Sequence, residues 1–140
     1  MAANAVFLDT NGWVALLNAR DALHATAARL WRSLGRQGYS ILVTDWVVAE
    51  TGNSLARTAG RSGFTQAVER IRKSSRTRLV FVTPALFERA LATYASRPDK
   101  TWGLVDCASF VVMQDQGVTE AFTTDRHFEQ AGFKPLLPAA

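Results

Sequence analysis

At 140 residues the chain suits one domain with a proper core and is too short for two comfortable ones. Its 48% hydrophobic and 20% charged residues exclude a disordered tail, and apolar runs such as SFVVM (109–113) are far too short to span a bilayer. The net charge of +4 gathers in one place: Arg57, Arg61, Arg70, Arg72, Lys73, Arg76 and Arg78 share their stretch with a single acid, Glu69.

Such a run is either a solvated helix face or a patch for nucleic-acid backbone or an acidic partner. The lone Cys107 excludes an internal disulfide, and MAANAVFLD lacks the basic start and long apolar stretch of a signal peptide. A cytoplasmic protein without membrane contact is therefore expected.

In chain order, Val6–Leu8 reads as a short buried strand that ends on Asp9. Asp21 offers an N-cap to a helix whose Leu23, Ala27, Leu30, Trp31 and Leu34 recur at helical spacing up to Gly35 and Gly38. Tyr39–Val43 is a second strand, after which Thr44 or Asp45 caps a helix from Trp46 to about Thr58. Gly60 and Gly63 mark a turn before a basic helix from about Thr65 to Ser74. Leu79–Val82 is a third strand, and Thr83 with Pro84 opens the next helix. Its Leu86, Phe87, Ala90, Leu91 and Tyr94 share a face and read as core. Past Pro98, an apolar helix runs from about Leu104 to Gln116 and stops at Gly117. AFTT (121–124) supplies a fourth strand, a short helix starts near Arg126, and FKPLL (133–137) reads as a fifth strand.

Strands that alternate with helices predict an α/β sandwich around a mostly parallel sheet of four to five strands, as a single domain over residues 1–140. Ligands of such sheets sit beyond the carboxyl ends of the strands, near the topological switch point. Asp9 and Asp125 both follow a strand there. Glu50 and Asp106 lie in helices with no basic residue three or four positions away, so an exposed ion pair does not explain them.

Each acid alone has a plain explanation. Asp9 and Asp125 suit helix caps, Asp106 gains from a helix start, and Glu50 could face water or meet a distant arginine. Four acids converging on one sheet edge would repel one another and raise each other's pKa. A divalent cation removes that conflict, and oxygen ligands favour Mg²⁺ or Mn²⁺. Competing chemistry is thin. His24, His127 and Cys107 have no zinc spacing and are expected to be isolated side chains, and no phosphate-binding glycine loop or serine-nucleophile motif occurs.

FLDTN (7–11), VVAETGN (47–53), LVDCASFVVM (104–113) and FTTDRHF (122–128) resemble the PIN-domain ribonucleases, most of all the toxin component of VapBC-type toxin–antitoxin pairs. The resemblance runs from Val6 to about Phe133. It implies a three-layer α/β/α sandwich and Mg²⁺- or Mn²⁺-dependent cleavage of RNA phosphodiesters. Asp9, Glu50, Asp106 and Asp125 would be the acidic quartet, and Asn11 and Thr123 would be supporting polar residues. Arg57, Arg61, Arg70, Arg72 and Lys73 would meet RNA or the partner. A homodimer held inactive by a small antitoxin is also implied.

Four other readings compete. A haloacid-dehalogenase-like phosphotransferase wants a second acid two residues after the first, where Asn11 stands here. A non-catalytic RNA- or protein-binding module would gain nothing from four acids, and a scaffold would need four incidental caps. A housekeeping RNA-processing nuclease would share the site of a toxin.

Overall fold

The most apolar segment of the N-terminal region, Val6, Phe7 and Leu8, is wholly buried and forms the middle strand of a five-stranded sheet. The computed structural model describes residues 4–139. The strands are β1 (Ala5–Leu8), β2 (Ser40–Thr44), β3 (Thr77–Val80), β4 (Glu120–Phe122) and β5 (Lys134–Pro135). They lie in the order β3-β2-β1-β4-β5, and every pairing is parallel. The helices are α1 (Thr10–Leu17), α2 (His24–Arg36), α3 (Asp45–Leu55), α4 (Arg61–Lys73), α5 (Pro84–Ser96), α6 (Leu104–Gln116) and α7 (Arg126–Gln130).

Handedness places the helices. From β1 through β3 the chain moves one way along the sheet, so right-handed crossovers put α1 to α4 on one face. The return from β3 to β4 and the step to β5 run the other way and put α5 to α7 on the opposite face. The contacts agree: α1 packs on α2 and α3, and α3 on α4, while α6 packs on α5 and α7. Phe7 meets Phe128 of α7, and Phe122 meets Trp31 of α2, so neighbouring strands feed both layers. None of the described helices is long and apolar enough to cross a membrane.

Several details depart from the sequence expectation, among them the N-cap of α2, which is Leu23 and not Asp21. Helix α1 fills residues for which the sequence predicts no element, although Asp9 suits a helix cap. Gly12 is required there: a Cβ would stand 2.0 Å from the Phe122 carbonyl oxygen, so only glycine lets α1 close onto β4. Strand β3 ends at Val80, since the Val82 N–H leaves the ladder for Asp45 Oδ1 at 2.8 Å. Helix α3 stops at Leu55, and α4 begins at Arg61, about a turn earlier than the apolar spacing implied. The α5 face expected as core is only partly so: Leu86 and Ala90 are buried, whereas Phe87, Leu91 and Tyr94 are exposed.

Candidate metal centre and active site

The order β3-β2-β1-β4-β5 makes the boundary between β1 and β4 the topological switch point. Asp9 ends β1 at that boundary and is 4% exposed. It occupies the N-cap position of α1, yet its side chain makes no capping bond. The simple helix-cap explanation therefore fails for Asp9.

Across the boundary, the Thr123 N–H folds back onto the Ala121 carbonyl at 3.0 Å, turning the chain out of β4. The buried Thr123 hydroxyl is thereby presented to the loop after β1. Its Oγ1 lies 2.7 Å from Asp9 Oδ2 and 2.9 Å from Asn11 Oδ1, and it accepts the Asp125 N–H at 3.0 Å. One hydroxyl proton cannot serve two acceptors, and an ionised Asp9 is the stronger of them. Asn11 Oδ1 has its own donor, the Thr124 N–H at 3.0 Å. Asn11 and Thr123 thus tie the two loops together under Asp9.

Asp106 lies in the first turn of α6, where its Oδ2 accepts the Gly103 N–H at 3.1 Å. Asp125 caps α7, its Oδ1 accepting the His127 N–H at 2.8 Å. Unlike Asp9, Asp125 does cap a helix. The His127 ring stands between them, with Nδ1 3.2 Å from Asp106 Oδ2 and 3.4 Å from Asp125 Oδ1. Ligand atoms of Asp106, Asp125 and His127 all fall within 4.8 Å of one another.

His127 was expected to be an isolated side chain, and that expectation is wrong. The informative signal was its position, two residues after a capping aspartate. A side chain in a first helical turn leans back toward the N-terminus, over the cap. Glu50, on α3, accepts a hydrogen bond from the hydroxyl of Thr10, the residue after Asp9. Through Thr10 it stands next to Asp9, and like Asp9 it lies outside the tight group of Asp106, Asp125 and His127.

Burial pushes Asp9 up to about 7, with repulsion from Asp106 and Asp125 adding to it and the bonds from Thr123 and Thr10 opposing. Burial is also the chief cause that raises Asp106, helped by Asp125 and opposed by Gly103 and His127. Among the described residues no lysine or arginine pairs with Asp9, Glu50, Asp106 or Asp125. Crowded carboxylates with no cation of their own suit a divalent ion, and a set dominated by oxygen fits Mg²⁺ or Mn²⁺.

The arginine-rich segment lies elsewhere. Arg61 donates to the Ala56 carbonyl at the end of α3, at 3.0 Å, and Arg72 pairs with Glu69 at 3.2 Å. Arg57 and Lys73 are exposed. Arg70 joins Arg76 around an apolar groove of about 510 Å³ floored by Trp13, Leu34 and Ile71. Ile41 and Thr77, near the starts of β2 and β3, place that groove toward the edge of the sheet opposite the acids.

The PIN domain family model matches residues 6–134, almost the whole chain. This chain belongs to the PIN domain family. The PIN domain is 35% identical over 133 residues to the 23S rRNA-specific endonuclease VapC20 of Mycobacterium tuberculosis, covering 95% of this chain and 98% of that one. The crystal structure of that VapC20, described as a Sarcin-Ricin loop cleaving toxin, superposes with a TM-score of 0.84 over 95% of this chain and 99% of its own. VapBC2 from Rickettsia felis, bound to a promoter DNA fragment, matches at 13% identity with a TM-score of 0.62 over 94% of this chain and 96% of its own, a likeness of fold alone. The expected sandwich with its parallel sheet stands, and so does the expected VapC-type endoribonuclease.

Proposed function

We propose that this PIN domain is the Mg²⁺- or Mn²⁺-dependent toxin of a toxin–antitoxin pair, and that it hydrolyses a phosphodiester in a structured loop of ribosomal RNA. The observation that carries the reading is a buried Asp9, held by Thr123 beside Asp106 and Asp125, with no lysine or arginine among the described residues paired to the three carboxylates. The 35% identity to a 23S rRNA-specific endonuclease over nearly the full chain supports the RNA class.

Asp9, Asp106 and Asp125 would hold the ion, and Glu50 would complete the site by orienting the attacking water. A divalent ion supplies charge neutralisation at the phosphate and activation of water. Asn11 and Thr123 keep the Asp9 carboxylate oriented, and the packing of α1 on β4 keeps it dry. Without a cation the same acids would repel the phosphate.

Two surfaces support the partners. The apolar groove with Arg70 and Arg76 at its rim suits an amphipathic antitoxin segment with acidic residues along one side. Phe81, 63% exposed, lies close along the chain to Phe87, Leu91 and Tyr94, and this apolar surface would pair two copies of the chain.

The test is cleavage of 23S rRNA, and of a short sarcin–ricin stem-loop, by purified protein with Mg²⁺, with Mn²⁺ or with chelator. A single cut that needs metal and disappears in Asp9→Asn is expected. Failure to cut any RNA, from folded protein free of antitoxin, would overturn the reading. Cutting only of other RNAs would remove the ribosomal assignment and leave the nuclease.

A further inference from the structure

His127 is assigned no part in the reading above, yet it touches two of the three aspartates. The oxygens that face its ring are already occupied. Asp106 Oδ2 accepts the Gly103 N–H, and Asp125 Oδ1 accepts the N–H of His127 itself. Among the described residues, the other oxygens, Asp106 Oδ1 and Asp125 Oδ2, have no hydrogen-bond partner. Those two have no protein donor to satisfy them, whereas the His127 ring contacts the occupied pair.

The ring is fixed at its far end as well, with Nε2 3.0 Å from the Thr101 hydroxyl. Ionised carboxylates only accept hydrogen bonds, so Nδ1 carries a hydrogen, and the Thr101 hydroxyl can donate to Nε2. The result is a chain from Thr101 through His127 to Asp106 that joins the loop before α6 to the first turn of α7.

We propose that His127 is a positioning residue of the metal centre: it holds Asp106 through Nδ1, is oriented by Thr101 through Nε2, and does not itself ligate the ion. Because a hydrogen bond behind a ligand fixes the orientation of the ligand, its removal weakens metal binding without removing a donor. The inference rests on the proposed metal site, and its test separates the two.

Mn²⁺ affinity is read by electron paramagnetic resonance of the free ion, for wild type and three variants. His127→Ala is expected to weaken binding about 10–100-fold. His127→Asn, whose amide nitrogen can stand where Nδ1 stands, is expected to recover most of that loss. His127→Gln, whose amide reaches the Nε2 position instead, is not. A merely structural role would not separate Asn from Gln at equal folding, checked by thermal unfolding. Electron spin-echo spectra of the bound Mn²⁺ are expected to show no directly coordinated nitrogen.

Affinity unchanged in His127→Ala, or equal rescue by Asn and Gln, would overturn the inference and leave the metal site standing. Strong ¹⁴N coupling lost in His127→Ala would also overturn it, by making His127 a ligand. Absence of Mn²⁺ binding by the wild type would overturn the metal reading, and the inference with it.

Discussion

Two strands of the sheet end in the same way and with opposite consequences. After β1 the chain reads Leu8-Asp9, and after β2 it reads Thr44-Asp45, each aspartate standing at the carboxyl edge beside the start of a helix. Asp45 is half-buried and accepts the Val82 N–H at 2.8 Å, so it stitches α3 to the end of β3. Beside it, the Thr44 hydroxyl accepts the Val47 N–H at 3.1 Å and caps α3 in the ordinary way. Asp9 has no such duty. It faces two further carboxylates, is buried among them, and is held up to about 7. The difference lies in the strand, since β1 borders the switch point and β2 does not. At the switch point Asp9 meets the charges of Asp106 and Asp125, and between β2 and β3 Asp45 meets backbone to bind.

The two aspartates are expected to differ most in catalysis. Asp9→Asn keeps the shape and removes a proposed metal ligand, so RNA cleavage is expected to fall on the order of 10³-fold, the equivalent of several kcal/mol in the transition state. Asp45→Ala should leave single-turnover rates within about twofold, because it meets no reacting atom. Equal losses in both variants, measured on the same RNA, would erase the distinction.

Stability also depends on pH through Asp9. The carboxyl of Asp9 is raised in the folded protein from 3.8 to about 7, so between those values the folded state binds a proton that the unfolded state has released. Stability of the metal-free protein is therefore expected to fall as pH rises from about 4 to 7 and to level off above 7. The contribution of this one group is roughly 4 kcal/mol. Urea unfolding in chelator at pH 5 and pH 8 measures it. Asp9→Asn should flatten the profile and be the more stable protein at pH 8, the reverse of its effect on activity.

Gly12 tests the packing that keeps Asp9 dry. Gly12→Ala forces a Cβ against the Phe122 carbonyl and should cost about 1–3 kcal/mol in chemical unfolding. It should also slow cleavage, by shifting Asn11 and Asp9 away from Thr123. Asp45→Ala leaves the Val82 N–H without its acceptor, at about 1 kcal/mol or a little more. The smallest effect is expected for Phe87→Ser with Leu91→Ser on the exposed side of α5. Monomer stability should change by less than about 0.5 kcal/mol per site, while light scattering should report one copy in place of two. A wild type already monomeric at high concentration would remove the proposed pairing surface.

Much of this was legible in residues near one another in the chain. Gly117 ends α6 with φ 67°, where glycine costs nothing. Thr83 and Pro84 open α5, and the apolar run 104–113 carries Asp106 into the core side of α6. Less legible was anything that depended on what lay opposite. Nothing around Gly12 in the sequence says that β4 presses on it. The face of Phe87, Leu91 and Tyr94 has the spacing of a core face, and spacing does not say whether a neighbour covers it. Nor does DRHF reveal that the ring of His127 reaches a carboxylate 21 positions earlier in the chain.

By itself, then, the sequence determined the alternation of strands and helices, and hence a sheet with an acid at the end of its first strand. Local hydrophobic period, caps and glycines decide such things, because they act over a few residues. The tertiary structure alone decided the centre of the site. Strand order brings Asp9 beside Thr123 across 114 positions, and burial raises its carboxyl. Both effects arise from segments far apart in the chain, for which no local pattern has a term.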